Sequence, residues 1–553
     1  MKKTVSVIVA LVVLIALVVG LTTLNQRTQT TEIATASMKV FEENFNEENT
    51  EFFCNETKRV TNNGEYSEFV NYSKGYAFNI PSNTSYDFSR SPVFVDIFND
   101  DFKLRISREW SPYDEIEEYI DHYLNRFIES SNWRTANRVS SKQSVTKYAE
   151  SAESYIVERR DYVINEMDNV QEFDRYSFVI FRNNEKPFFC LTYKYNDTNK
   201  DKMDVIITEA MDSFKVFEPK GEDKFNVDYY PVIPENWTQE TKDLYNKITN
   251  TTSDDLMWGV FSKNIYEEGI NEIIPKLEKD LEYEFPVILA YIHFNHEFPM
   301  EFMQKNWENG KIVELTYQMT DSNNEDLFGY TPNMDIYRGL KDEEIRQLAK
   351  DAKAFGHPFL FRINNEMNSD WTSYSGVINM KDPDIYVSNW QRFYRIFEEE
   401  GVNNVIWVFN PNDRNYPPCD WNNYLAYYPG NEYVHMIGVT GYNTGTYYLE
   451  EMGETWREFE EIYDAVQNEY EPFFSKFPWI ITEFSSSSVG GDKAKWIDNM
   501  FNCIDKYKNI KIAVWFNFAD FDYREEKNTV VSRPYWLDET PETLNAFKNG
   551  LKK

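Results

Sequence analysis

The sequence predicts an α/β fold class: a (β/α)8 TIM barrel over residues 255–553, preceded by a smaller α+β domain at 38–220 and an apolar N-terminal segment at 1–30. Three observations carry this. From Met257 onward, short and nearly continuous apolar runs alternate with longer amphipathic stretches; there are eight runs; and two of them end on a glutamate. Strands buried on both faces read as unbroken apolar runs, which implies a parallel sheet covered by helices. Eight such units over about 300 residues fit a closed barrel.

The predicted strands are 257–262, 286–294, 311–319, 358–364, 404–410, 434–442, 478–484 and 510–518, each rich in β-branched or aromatic residues. Helix signals fall between them. The stretch 341–355 stops at Gly356, 383–400 stops at Gly401, and 456–474 is a third helix-prone segment. Residues 221–254 read as linker and barrel entry, polar and proline-containing at their start. In the first domain, 75–81, 92–97, 102–106, 154–163, 175–182 and 187–195 read as antiparallel strands, with helices at 112–130 and 203–214. This domain contains no compact catalytic set, so a spacer or binding module is expected there.

At the N-terminus, Lys2 and Lys3 precede an uncharged apolar run at 4–24, long enough to span about 30 Å of hydrocarbon. Ala34-Thr35-Ala36 lies farther from that run than a signal cleavage site usually does. The expectation is an uncleaved anchor with the rest of the chain extracellular, or secretion after cleavage, with membrane contact through this segment only. The balance of 57 basic and 92 acidic residues, −35 overall, repels nucleic acid and anionic membranes and disfavours a polyanionic substrate. A monomer is expected. Cys54, Cys190, Cys419 and Cys503 are too few for a disulfide scaffold; Cys54 and Cys190 either bridge or remain thiols.

The chemistry concentrates at two strand ends. Phe359-Leu-Phe-Arg-Ile363 leads into Asn364-Asn365-Glu366, and Trp479-Ile-Ile-Thr482 leads into Glu483. The C-terminal ends of barrel strands converge on one face, so distant glutamates meet there. A pair of carboxylates is what acetal cleavage needs: one acid to protonate the leaving oxygen, and one carboxylate to attack or stabilise the sugar cation. Arg362 is placed either to hold Glu483 or a sugar hydroxyl, or to form an ion pair in the barrel mouth. Trp371, Tyr374, Trp407, Trp421, Tyr442 and Trp515 offer flat faces for sugar stacking. No competing motif is present. His293, His296 and His357 lack zinc-ligand spacing, Ser485 to Ser488 lacks the Gly-x-Ser-x-Gly elbow, and there is no phosphate loop. Neither metal nor cofactor is expected.

The segment Arg362, Glu366, Met367, Asn368, Trp371 resembles the Arg-x-x-His-Glu-Met-Asn-Gly-x-Trp signature of glycoside hydrolase family 26, a clan A family best known for endo-β-mannanases. Ile406 to Asn412 and Gly438 to Asn443 are similar to that family's segments after strands five and six. The resemblance implies Glu366 as general acid/base on strand four and Glu483 as nucleophile on strand seven. It also implies Tyr442 as a hydrogen-bond donor to the nucleophile, Trp515 as the apolar platform under the sugar, and a β-linked polysaccharide as substrate. The sequence departs from the signature at Asn365, Ser369 and Thr440, and Tyr317-Gln318 stands where the family has Trp-His. Asn before the acid/base occurs elsewhere in the clan, where it binds the sugar 2-hydroxyl. Gln318, Asn365, Arg362 and Trp371 are accordingly expected at the substrate. A non-catalytic glycan-binding barrel is the alternative that these departures permit.

Overall fold

The computed structural model describes residues 41–109, 116–125, 139–145, 155–164, 173–183, 188–225, 227–252, 255–320, 332–525 and 529–553. The apolar run at 4–24 and the 34–36 site lie outside them, as do both ends of the predicted helix 112–130, which is helical over its described part, 116–125. Among the described residues no helix is long and apolar enough to cross a membrane.

Eight parallel strands close into a barrel: β1 (Met257–Ser262), β2 (Val287–His293), β3 (Ile312–Gln318), β4 (Phe359–Ile363), β5 (Val405–Phe409), β6 (Met436–Thr440), β7 (Trp479–Phe484) and β8 (Ile510–Asn517). All eight coincide with the predicted runs to within two residues. The barrel closes through β1 on β8, with Met257 opposite Ile512 and Ser262 opposite Asn517. Helices Asp342–Phe355, Pro383–Glu399 and Phe459–Phe474 cover it, and the first ends at Gly356 with φ 76°, the left-handed cap that glycine adopts without penalty.

Alternation along each strand decides where every side chain goes. Met257, Leu289, Ile312, Leu360, Ile406, Val408, Met436, Ile480, Ile512 and Val514 point inward and fill the lower barrel, which Trp237, Leu244 and Ile248 close from below. The intervening residues, among them Phe361, Trp407 and Trp515, point outward into the layer under the helices. Toward the C-terminal ends of the strands the inward positions become polar: Glu314 and Thr316 on β3, Arg362 on β4, Asn410 after β5, Thr440 on β6 and Thr482 on β7, all buried.

Ahead of the barrel, antiparallel strands form two sheets. One has five strands, from Thr50–Phe53 through Tyr76–Pro81 to Lys215–Val216. The other has seven, with Phe102–Glu109, Phe188–Tyr195 and Arg175–Asn183 at its centre. Helix Lys200–Ser213 packs its Met203, Ile207 and Ala210 between them. All four cysteines are thiols, so Cys54 and Cys190 are not bridged.

Candidate active site

The chain turns sharply where β4 ends. Asn364 and Glu366 both have left-handed backbones, φ 50° and 57°. Asparagine tolerates this conformation, and here its Oδ1 also accepts the Met319 amide at 2.7 Å. Glutamate does not adopt it readily; strain of this kind amounts to about 1–3 kcal/mol and persists where surrounding contacts over-determine it. The Glu366 amide donates to Asn410 O at 2.9 Å, which pins the turn to the end of β5. The carboxylate thereby projects into the mouth rather than along the strand. At β7 the device differs: the pairing register shifts between Val439 and Thr440 on one side and between Ile481 and Phe484 on the other. Such irregularities re-aim side chains. Thr482 already faces inward, and the shift turns Glu483 into the mouth as well.

The two carboxylates share one hydrogen-bond donor. Asn365 Nδ2 lies 3.4 Å from Glu366 Oε2 and 3.5 Å from Glu483 Oε1. Its amide orientation is fixed from behind, because Gln318 Nε2 and the Tyr374 hydroxyl each donate to Asn365 Oδ1 at 3.0 Å. The departures from the family signature at Asn365 and Gln318 thus form one hydrogen-bonded unit.

Glu483 is gripped by two donors. Arg362 Nη1 contacts its Oε1 at 2.7 Å, and the Tyr442 hydroxyl donates to Oε2 at 2.9 Å. Arg362 is fully buried and is itself oriented by Thr316 Oγ1 at 2.7 Å and Asn410 Oδ1 at 2.6 Å. Below it, the fully buried Glu314 lies 3.4 Å from Arg362 Nε, and neither of its oxygens accepts a hydrogen bond among the described residues. Burial raises Glu314 to about 8 despite the arginine.

Glu366 is in the opposite situation. Burial first, and the Glu483 charge second, push its carboxyl up to about 8, against hydrogen bonds from Asn412 and Trp371 that favour the ionised form. Asn412 Nδ2 donates to Oε1 at 2.6 Å, and Trp371 Nε1 lies 3.5 Å from Oε2. One carboxyl therefore holds its proton near neutrality, while its neighbour is paired with Arg362 and Tyr442.

Both carboxylates open into a cleft of about 640 Å³ lined by aromatic rings, including Trp371, Tyr416, Tyr442, Phe516 and Tyr535. Trp371 is 45% exposed, with its ring 5.0 Å from Tyr416. Trp515 corrects the expectation: it points away from the cleft, fully buried among Phe484, Trp496 and Phe547, with its Nε1 donating to Tyr535 O at 2.9 Å. The alternation of β8 sends residue 515 outward and 516 inward, so Phe516 takes the lining position. Trp407 likewise packs outward against Phe397 and Trp390, and Trp421 is buried beside Tyr119 of the first domain. Tyr374 contributes through its hydroxyl, not its face. His293 and His296 pack edge to face with ring centroids 5.3 Å apart and are not among the lining residues. Asn412, Tyr416 and Glu314 were not singled out from sequence; the strand-five run through Asn410-Pro411-Asn412 was the available signal for the first.

Residues 302–467 match the family model described as glycosyl hydrolase family 26. Endoglucanase H of Acetivibrio thermocellus is 31% identical over 277 residues, 48% of this chain and 27% of that protein. A mannan endo-1,4-beta-mannosidase of Bacillus subtilis is 32% identical over 101 residues, 17% of this chain and 25% of that protein. The chain thus spans about a quarter of the length of these curated relatives. Among solved structures, a Bacillus subtilis mannanase aligns over 52% of this chain and 89% of its own, at 15% identity and TM-score 0.38. The family match over residues 302–467 and the endoglucanase relative support assigning the barrel to glycosyl hydrolase family 26.

Proposed function

We infer that the barrel is a retaining endo-glycosidase acting on β-linked polysaccharide of mannan or related type, by double displacement. The observation that carries this is the shared Asn365 amide. With 3.4 Å to one carboxylate and 3.5 Å to the other, the facing oxygens stand within about 7 Å, near the roughly 5–5.5 Å of retaining pairs and below most of the range of inverting ones. Glu366 carries the proton that the glycosidic oxygen receives as Glu483 attacks the anomeric carbon. Ionised Glu366 then takes a proton from the water that hydrolyses the glycosyl ester, regaining its starting state. Arg362 and Tyr442 hold Glu483 in place and aimed; Asn365 is in reach of the sugar hydroxyl next to the reacting carbon; Trp371 and Tyr416 supply stacking surface. The two relatives, an endoglucanase and a mannosidase by name, support a β-linked polymer as the substrate class. The apolar run at 4–24 supports action at the cell surface or after secretion.

The test is release of reducing ends by the soluble chain from residue 38 onward, against β-mannans, glucomannan, β-glucans and xylans. Glu366→Gln and Glu483→Gln serve as controls. Cleavage by wild type that falls by about three orders of magnitude or more in each variant, with folding intact, is expected. Binding without cleavage across the panel would overturn the hydrolase reading in favour of a glycan-binding barrel.

A further inference from the structure

We propose that the N-terminal domain is part of the catalytic unit, and that its Glu109 is a positioning residue holding the loop after β5 so that Asn412 meets Glu366. This rests on the assignment of Glu366 as the acid.

The domain grips the two barrel loops that carry the site. Glu109, fully buried at the end of strand Phe102–Glu109, accepts the backbone amides of Asp420 at 2.7 Å and Trp421 at 3.1 Å, and the Ser107 hydroxyl also donates to it. These amides open the short helical turn Asp420–Asn422, whose first N–H groups have no partner within the turn itself. A carboxylate from another domain fills that role. Beside it, Trp421 Nε1 donates to the Tyr119 hydroxyl at 3.1 Å. The buried Lys381 ammonium sits 5.0 Å from the Tyr119 ring, 5.5 Å from Phe178 and 5.2 Å from Trp421, a cage drawn from both domains.

The grip is transmitted to the acid through three asparagines. Asn422 Nδ2 donates to Asn368 O at 2.9 Å. Asn368 in turn holds the loop by both ends of its amide: Nδ2 donates to Asn412 O at 3.2 Å and Asn415 Oδ1 at 2.9 Å, while Oδ1 accepts the Asn412 amide at 2.8 Å. Asn412 then donates to Glu366 Oε1 at 2.6 Å. The links from the turn to Asn368 are buried, so a shift of the turn is carried through packed contacts to Asn412 at the cleft wall.

A second grip secures the loop after β4. Tyr176 donates to Asp382 at 2.7 Å and Lys194 to the same carboxylate at 3.0 Å; Lys103 and Lys194 each reach Asp384 at 2.6 Å and Arg105 does so at 2.9 Å. Asp382 caps helix Pro383–Glu399, and the loop leading into it starts at Glu366. Around these contacts Tyr119, Phe178 and Phe188 share one apolar cluster with Val377, Ile378, Met380 and Trp421. Removed from this domain, the catalytic loops would expose an apolar face and a buried lysine together.

The experiment uses the full soluble chain with Glu109→Gln, Glu109→Ala and, as a milder change, Tyr119→Phe. Hydrogen exchange of residues 412–422 is read first, because it does not depend on activity. Exchange about tenfold faster in Glu109→Ala, with Glu109→Gln between it and wild type, is expected. Hydrolysis is read second: kcat falls by about tenfold or more with KM changed much less, since misplacement by a fraction of an ångström acts on the chemical step. The alkaline limb of the pH profile moves upward as the Asn412 donor is lost. If Glu109→Ala does not fold, Glu109→Gln and Tyr119→Phe still report both readouts. Lower thermal stability with unchanged exchange at 412–422 and an unmoved pH limb would overturn the proposal. Inactivity of wild type on every glycan would count against the hydrolase assignment, while the exchange result would still decide the role of Glu109 in holding the loop.

Discussion

Asn412→Ala isolates the contact that tunes the proposed acid. In the native site Asn412 Nδ2 donates to Glu366 Oε1 at 2.6 Å, a short bond to an ionisable oxygen that favours the charged form. Hydrogen bonds to charged groups contribute about 1.5–3 kcal/mol, and 1.36 kcal/mol corresponds to one pH unit, so its loss moves the Glu366 proton affinity upward by about 1–2 units. Starting from about 8, the alkaline limb of kcat/KM shifts to more basic pH. The acid also becomes a poorer proton donor. With roughly half of the proton transferred in the transition state, the rate at the optimum falls by about threefold to tenfold. The assay is kcat/KM against pH from 5 to 10 on a soluble β-linked oligosaccharide, with circular dichroism as a check on folding. A lower rate with an unmoved alkaline limb would refute the reasoning, because the bond would then serve the loop and not the proton.

Three further expectations follow from neighbouring contacts. Glu314 is fully buried and raised to about 8, so the native barrel binds a proton there that the unfolded chain releases above about 4.5, and stability falls as pH rises from about 4.5 to 8. Glu314→Gln removes that dependence; its stability relative to wild type should climb by up to about 1.4 kcal/mol per pH unit across the window, and parallel thermal-melt trends from pH 5 to 8 would count against it. Tyr442→Phe deletes the 2.9 Å donor to Glu483 Oε2 and should lower kcat by about a hundredfold with little change in KM; a pure KM effect would place the hydroxyl on the substrate instead. Trp371→Ala removes the half-exposed ring that faces Tyr416 and should raise KM by about tenfold, measured on oligosaccharides of increasing length.

How far these features were legible in the sequence follows from the period of each signal. The barrel strands are buried on both faces, so their apolar runs stand out whatever the register, and all eight appear at the expected positions. Register within a run is harder to read. Trp515 was expected at the sugar because it lies near a strand end, but a one-residue offset sends it to the helix layer and leaves Phe516 at the cleft. Strands Lys58–Asn62 and Tyr66–Asn71 escaped notice because their buried positions include Lys58 and Arg59, paired with Asp223 and Glu68. Charged residues in a buried strand erase the apolar pattern that reveals one. At the site, the two glutamates, Arg362, Asn365 and Gln318 were all readable as strand-end residues, and the structure brings them into one hydrogen-bonded network. Asn412 and Glu109 were not, since their roles exist only once a loop and a separate domain have met.

The central claim is that Glu483 attacks the sugar and Glu366 supplies the proton, and the stereochemistry of the first product tests it most directly. Proton NMR of the anomeric region during the first minutes of hydrolysis of a β-linked oligosaccharide should show the β-anomer appearing first, followed by slow mutarotation. The α-anomer appearing first would contradict double displacement and would require a water molecule, not Glu483, to be the group that attacks the anomeric carbon.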